Sequence, residues 1–124
     1  MKITNKDADF YNIMGPVFGS REVQRKTGDR FYDDDRKVWY IELDDSGKVA
    51  ATVSVEADII KNVYCEDEMA LLRILRDLYY VTGESVVPSA YANIYRNAGY
   101  AVVEEKLKKF IKIRGGNVNG AIII

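Results

Sequence analysis

Hydrophobic and polar residues alternate with a helical period at the start of the chain and with a strand period in its middle. A short strand is predicted in "MKIT", and a helix follows it. The apolar residues of that helix recur at helical spacing and are Phe10, Ile13, Met14 and Val17. We expect Gly15-Pro16 to break or kink this helix, because proline has no backbone N–H and clashes with the preceding turn. A second, more polar helix is predicted between Ser20, a suitable N-terminal cap, and Gly28, a suitable stop.

The middle of the chain has the pattern of strands. "KVWYIEL", "KVAATVSV" and "DIIKNVYC" are rich in β-branched and aromatic residues, and "DDSG" between the first two predicts a hairpin. An amphipathic helix is predicted from near Glu66, then the strand "ESVVP", then a helix capped by Ser89 and ended by Gly99. Two β-like runs around 104–108 complete the order β-α-α-β-β-β-α-β-α-β-β. We therefore predict one α+β domain at 1–114, built around one mixed, mostly antiparallel sheet flanked by helices. A Gly/Asn-rich tail with an apolar end is predicted at 115–124.

The element order and the segment "IYRNAGYAV" at 94–102 resemble the GCN5-related N-acetyltransferases, in which a pattern close to Leu-Tyr-Glu-Lys-x-Gly-Phe joins a helix to a strand. The order covers most of the chain, and the motif covers about seven residues. The resemblance implies that the backbone of Val63, Tyr64 and Cys65 borders an acetyl-CoA site. It also implies that this strand and the strand at Glu84–Val87 splay apart at one end. Tyr95 stands where many of these enzymes place a tyrosine that protonates the departing thiolate, although it also has the spacing of a core residue beside Tyr91.

The loop that should hold the pyrophosphate of acetyl-CoA is missing. The family pattern Arg/Gln-x-x-Gly-x-Gly/Ala has no counterpart here, and Glu66, Asp67 and Glu68 begin the helix instead. Carboxylates at a helix N-terminus are stabilised by the helix dipole and would repel a phosphate. We therefore predict that the three acidic residues cap the helix and contact no ligand. The neighbouring Cys65 is predicted to be a structural thiol, because acidic neighbours raise a thiol pKa.

The composition excludes several kinds of catalytic and metal-binding site. The chain of 124 residues is 48% hydrophobic and 30% charged, with a net charge of −1, no histidine and a single cysteine. These values indicate one globular domain without His-based catalysis, without disulfides and without a metal site. No signal peptide or membrane-spanning run is present in the sequence, so we expect a soluble, cytoplasmic protein.

The segment at 18–35 is the predicted binding surface. It mixes charges of both signs with aromatic residues, and the candidate binding residues are Arg21, Arg30, Phe31, Tyr32 and Asp33. A solvated loop with neutralising ion pairs is the plain alternative. A protein partner is favoured because the net charge is close to zero, and a nucleic acid is the alternative. Lys108, Lys112 and Arg114 lie on one side of a predicted strand, which indicates either a local basic stripe or, more commonly, an edge strand protected by lysines. The edge strand or the tail could support a homo-oligomer.

Two functions are compatible with these features. The first is a non-catalytic binding or regulatory protein, which the missing loop and the acidic turn favour, and which would need no cofactor. The second is a small N-acyltransferase that passes an acyl group from acyl-CoA to an amine, which the element order and Tyr95 favour. The second function would require acetyl-CoA or a related donor.

Overall fold

A computed structural model describes residues 1–107 and 109–117, with the backbone alone at 104–107. The helices are α1 (Phe10–Phe18), α2 (Arg21–Thr27), α3 (Glu68–Leu78) and α4 (Ala92–Asn97). The strands are β1 (Lys2–Ile3), β2 (Val38–Leu43), β3 (Val49–Glu56), β4 (Ile59–Cys65), β5 (Glu84–Pro88), β6 (Ala101–Leu107) and β7 (Phe110–Arg114). The predicted α+β class and the predicted order of helices and strands are confirmed. Over the described ranges, none of the helices has the length and apolar character needed to cross a membrane.

The strands form two antiparallel sheets, so the expectation of one sheet is wrong. One sheet has the order β1-β2-β3-β4 and the other has the order β5-β7-β6. The described hydrogen bonds between the β4 and β5 regions lie where the two strands begin, from the Gly83 N–H to the carbonyl of Asp58 (2.9 Å) and from the Ile60 N–H to Ser85 Oγ (2.9 Å). The described residues show no β-ladder between these two strands, which agrees with the predicted splaying and divides the sheet.

Two buried clusters lie on opposite faces of the four-stranded sheet. Residues of β3 and β4 that include Ala51, Val53 and Val63 pack with α3 and α4 on one face. Trp39, Ile41 and the apolar side of α1 and α2 form the other cluster. The alternation of side chains along a strand explains this division, because successive residues point to opposite faces.

The caps show where local sequence rules succeed and where they fail. Ser20 Oγ accepts the N–H of Val23 (3.2 Å), and Gly28 and Gly99 have positive φ values of 72° and 101°, as predicted. In contrast, α1 continues through Gly15-Pro16 to Phe18. Asn12, whose carbonyl lies four residues before the proline, is exposed, so water can replace the missing hydrogen bond.

The other two helix starts differ from the predictions. Helix α3 begins at Glu68 with Asp67 as its cap, two residues later than expected. Ser89 does not cap a helix, because residues 89–91 form a 3₁₀ turn that leads into α4.

The first residues of the predicted tail are tied to the domain. The N–H groups of Gly115, Gly116 and Asn117 donate to the carbonyls of Gly83 (3.0 Å), Tyr79 (2.6 Å) and Thr82 (3.0 Å). The remainder of the predicted tail, at 118–124, lies outside the described residues.

Candidate functional site

The notch between β4 and β5 is the place where the family resemblance implies a cofactor. At its mouth, the backbone N–H of Cys65 donates to the hydroxyl of Tyr91 (3.3 Å), and its carbonyl accepts from Lys26 Nζ (2.9 Å). Tyr91 is buried, and burial raises its pKa to about 12. Both polar groups of the Cys65 backbone therefore have partners from the protein's own side chains.

Tyr95, the predicted catalytic residue, lies in the core. Its side chain is 0% exposed, and its hydroxyl donates to the carbonyl of Pro88 (2.9 Å) at the end of β5. Burial, with smaller effects of Tyr91 and Cys65, raises its pKa well above the ordinary value. A hydroxyl held in this way is bonded to the backbone and is out of contact with solvent.

Four N–H groups around the start of α3, where a pyrophosphate would bind, have partners within the protein. The N–H groups of Glu66 and Asp67 donate to the carbonyl of Ala50 (2.8 and 3.1 Å). The carboxylate of Asp67 accepts from the N–H groups of Met69 (2.9 Å) and Ala70 (3.4 Å). Asp67 alone therefore caps the helix, and the prediction that all three acidic residues do so holds for one of them.

Cys65 and Val63 are buried parts of the core. Cys65 is 2% exposed, and burial raises the pKa of its thiol to about 11. The charge of Lys26 lowers this pKa, and the acidic residues at 66–68 raise it. The predicted structural role of the thiol agrees with this environment, because a buried thiol of high pKa is a weak nucleophile.

A groove that the sequence did not reveal lies on the other face of the sheet. This cavity of about 470 Å³ runs between α1, the start of α2 and the β2–β3 hairpin, and we call it the α1–hairpin groove. Tyr64 and Glu66 form one end of it, and the tyrosine hydroxyl donates to the Glu66 carboxylate. Burial, followed by this hydrogen bond, raises the pKa of Tyr64. A smaller cavity of about 230 Å³ shares these two residues and is also lined by Arg25 and Lys26. The segments that line the groove are far apart in the sequence and meet only in the folded chain. No sequence motif therefore indicates the groove.

The five candidate binding residues at 18–35 are not all on the surface. Phe31 is 4% exposed and packs against Trp39, and Asp33 accepts a hydrogen bond from Trp39 Nε1 (3.1 Å). These two residues therefore hold the segment to the core. Arg21, Arg30 and Tyr32 are exposed, as a binding surface requires.

A buried lysine holds the segment at 18–35 to the domain. Lys37 is 3% exposed, and its Nζ donates to the carbonyl of Tyr32 (2.9 Å) and to Asn62 Oδ1 (3.0 Å). The ring of Tyr32 lies over the same ammonium at 3.9 Å. Burial lowers the pKa of Lys37, while the charges of nearby aspartates oppose the shift. The lysine therefore anchors the loop through contacts that suit its charged form.

The predicted basic stripe near the end of the chain is neutralised in part. Lys112 and Arg114 both form ion pairs with Glu84, at 3.2 and 2.7 Å, and these bonds lower the pKa of the carboxylate. Lys108 lies outside the described residues. Within the described ranges, no group of three or more His, Cys, Asp or Glu side chains is placed to hold a metal ion.

Comparison with known protein families, curated proteins and solved structures gave no match for this chain. The proposed function therefore rests on the site alone.

Proposed function

We propose that this chain is a non-catalytic binding or regulatory protein with an acetyltransferase-like order of elements and no working acyl-CoA site. The observation that carries the proposal is the filling of the β4–β5 notch. The N–H and carbonyl of Cys65 are bonded to Tyr91 and Lys26, and four N–H groups around the start of α3 are bonded to Ala50 and Asp67. An acyl-CoA would have to displace these contacts and place its phosphates beside three carboxylates, which is unfavourable on both counts.

The open surfaces lie elsewhere, and they support binding of a polypeptide. The α1–hairpin groove combines an apolar floor with charged groups at its edges. Arg25 of α2 lines the adjoining smaller cavity, and Arg21 and Arg30 are exposed nearby in the sequence. A mixed apolar and charged surface of this kind is typical of protein interfaces, which use Arg and aromatic anchors. The alternative, a small N-acyltransferase, is favoured by the order of the elements alone.

A calorimetric titration with acetyl-CoA tests the proposal directly. We expect no binding heat from the parent protein at millimolar ligand, because the notch is filled. The Tyr91→Ala variant frees the Cys65 N–H and removes the filling side chain, and its melting temperature shows whether it remains folded. Saturable binding of acetyl-CoA by the parent protein at micromolar concentration would overturn the proposal and favour the acyltransferase.

A further inference from the structure

We infer that the α1–hairpin groove binds a basic polypeptide segment, which places lysine or arginine side chains along it. This inference rests on the proposed binding function and names the chemistry of the partner. It depends on the charged groups that the fold collects at the end of the groove, where the β2–β3 hairpin meets the start of α3.

Two acidic stretches that are separate in the sequence meet at this end of the groove. Asp44 of the hairpin and Glu66 both line the groove. The N–H groups of Glu66 and Asp67 donate to the carbonyl of Ala50 in β3, so the start of α3 is held beside the hairpin. The carboxylates of both stretches are exposed, and we call them the acidic end. They are Asp44, Asp45, Glu66, Asp67 and Glu68.

The carboxylates of the acidic end keep their negative charge in the folded chain. Asp44 accepts hydrogen bonds from Ser46 and from backbone N–H groups of the hairpin turn, and these bonds lower the pKa of its carboxyl. Glu66 accepts from the hydroxyl of Tyr64, and Asp67 accepts from backbone N–H groups of α3. All these donors are neutral, so the hydrogen bonds do not cancel the charge. None of the five carboxylates forms an ion pair with a described residue.

The basic groups around the groove are too few to balance the acidic end. Among the described residues, Lys48 is the one basic side chain that lines the groove. Arg25 and Lys26 line the adjoining smaller cavity together with Glu22, and Lys26 Nζ already donates to the carbonyl of Cys65 (2.9 Å). The acidic end and the described walls of both cavities therefore hold six carboxylates and three basic side chains. The dipole of α3 adds roughly half a positive charge at the helix start, which still leaves this region negative.

The walls of the groove suit the long stems of basic side chains. Ile13 and Pro16 of α1 are accessible along one wall, and the buried Val17 and Val49 lie deeper. Lysine and arginine pack their methylene groups on apolar surface while their charged ends stay in water or beside a carboxylate. A basic side chain in the groove can therefore cover the apolar wall and bring its charge to the acidic end.

Other ligands fit the acidic end less well. Nucleic acids and acidic polypeptides would be repelled by the excess of carboxylates. Within the described ranges, no group of three or more His, Cys, Asp or Glu side chains is placed to share a metal ion. The observations therefore favour a partner that supplies ammonium or guanidinium groups on apolar stems.

Fluorescence anisotropy with defined probes tests this inference on the full chain. The main probe is a fluorescein-labelled peptide of alternating lysine and serine. Its twin has glutamine in place of every lysine, and a third probe has glutamate in those places. The groove variant is Asp44→Asn/Glu66→Gln, and the matched control is Asp7→Asn/Asp77→Asn, which removes the same charge from exposed sites outside the groove. Each substitution keeps an accepting oxygen, and thermal melts verify that both variants are folded.

We expect the lysine peptide to bind in preference to the other two probes, and to bind more weakly as salt rises. The groove variant should weaken this binding by about tenfold relative to the control variant. A third variant, Lys48→Glu, should strengthen the binding, because it replaces the basic side chain of the groove with another carboxylate.

Three outcomes would each overturn the basic partner: equal binding of the glutamine or glutamate peptide, equal effects of the groove and control variants, or no binding of any probe. If the groove variant does not fold, the Lys48→Glu variant decides, and unchanged or weaker binding of the lysine peptide by it overturns the inference. The acetyl-CoA titration of the parent protein does not depend on these peptides. The loss of the partner class and the loss of the proposed non-catalytic function can therefore be told apart.

Discussion

At the scale of single residues, Cys65 shows how burial overrides a reactive sequence position. A thiol just before a helix would be activated if it were exposed, but this one is buried with a pKa raised from 9.0 to about 11. The pKa is raised because burial disfavours the charged thiolate. At pH 8 the thiolate fraction should therefore be about 100-fold smaller than for an ordinary thiol.

We expect Ellman's reagent to react with Cys65 far more slowly in the native protein than in guanidinium chloride. The same protein in denaturant is the control, since it has the same single thiol without the burial. A native rate close to the denatured rate would show that the thiol is accessible and would contradict the buried position.

The tyrosines mark the limit of residue-level prediction. The spacing of Tyr91 and Tyr95 predicts one face of a helix; both side chains are buried, but only Tyr95 lies in α4, and Tyr91 ends the preceding 3₁₀ turn. Which polar group each hydroxyl would meet could not be predicted. The partners, Cys65 and Pro88, are distant in sequence or belong to a different element, and only the assembled fold brings them into reach.

At the scale of elements, the cap of α3 is the testable feature. Asp67 accepts from two N–H groups at the helix start, whereas Glu68 lies in the first turn and makes no such bond. We expect Asp67→Ala to lower the free energy of unfolding by about 1 kcal/mol, and Asp67→Asn to recover most of that loss because it keeps the accepting oxygen. Glu68→Gln is the matched control and should cost only a few tenths of a kcal/mol. Chemical denaturation measures all three, and equal effects of the alanine and control variants would refute the single cap.

Most elements could be predicted from the sequence because their signals are local. The β-rich runs, the hairpin at Asp44–Gly47 and the left-handed glycines each depend on neighbouring residues. The division into two sheets was missed because it depends on contacts between distant segments, such as the hydrogen bond from the Cys65 N–H to the hydroxyl of Tyr91 in the 3₁₀ turn before α4. The sequence predicted a break or a kink at Gly15-Pro16, and the break is wrong because α1 continues to Phe18.

At the scale of the whole molecule, buried tyrosines should limit stability at alkaline pH. Burial raises the pKa of Tyr91 and Tyr100 to about 12, and the pKa values of Tyr64 and Tyr95 are raised as well. Between pH 10 and 12 the folded chain therefore holds more protons than the unfolded chain, and stability falls as pH rises. The lowered pKa of Lys37 has the opposite effect on the pH dependence of stability, but it concerns a single group.

We expect the melting temperature to be about 10 °C lower at pH 11 than at pH 9, which corresponds to a few kcal/mol. Tyrosinate absorbance should rise together with unfolding, since the buried phenols ionise only when they are exposed. A melting temperature that stays constant through pH 11 would contradict the burial of these side chains.

The candidate site could be predicted only in outline. The segment at 18–35 was recognised from its mixed charges, but the sequence could not show that Asp29 and Asp33 accept hydrogen bonds from Asn62 and Trp39 while Arg21 and Arg30 are exposed. That arrangement depends on Asn62, Trp39 and Lys37, which belong to other elements. The α1–hairpin groove was missed for the same reason, because its walls come from four separate stretches of chain.

Gly115 and Gly116 limit where another sequence can be fused to this chain. They look like a flexible spacer, but a Cβ at Gly115 would lie 2.8 Å from Thr82 Oγ1 and 2.9 Å from the carbonyl of Tyr79. A Cβ at Gly116 would lie 2.9 Å from the ring of Tyr79. A fusion junction that replaces this pair with a Gly/Ser linker would thus insert side chains where the backbone has no room for them. Tags and fused domains belong beyond Asn117, and a library that randomises the pair would return glycine at both positions.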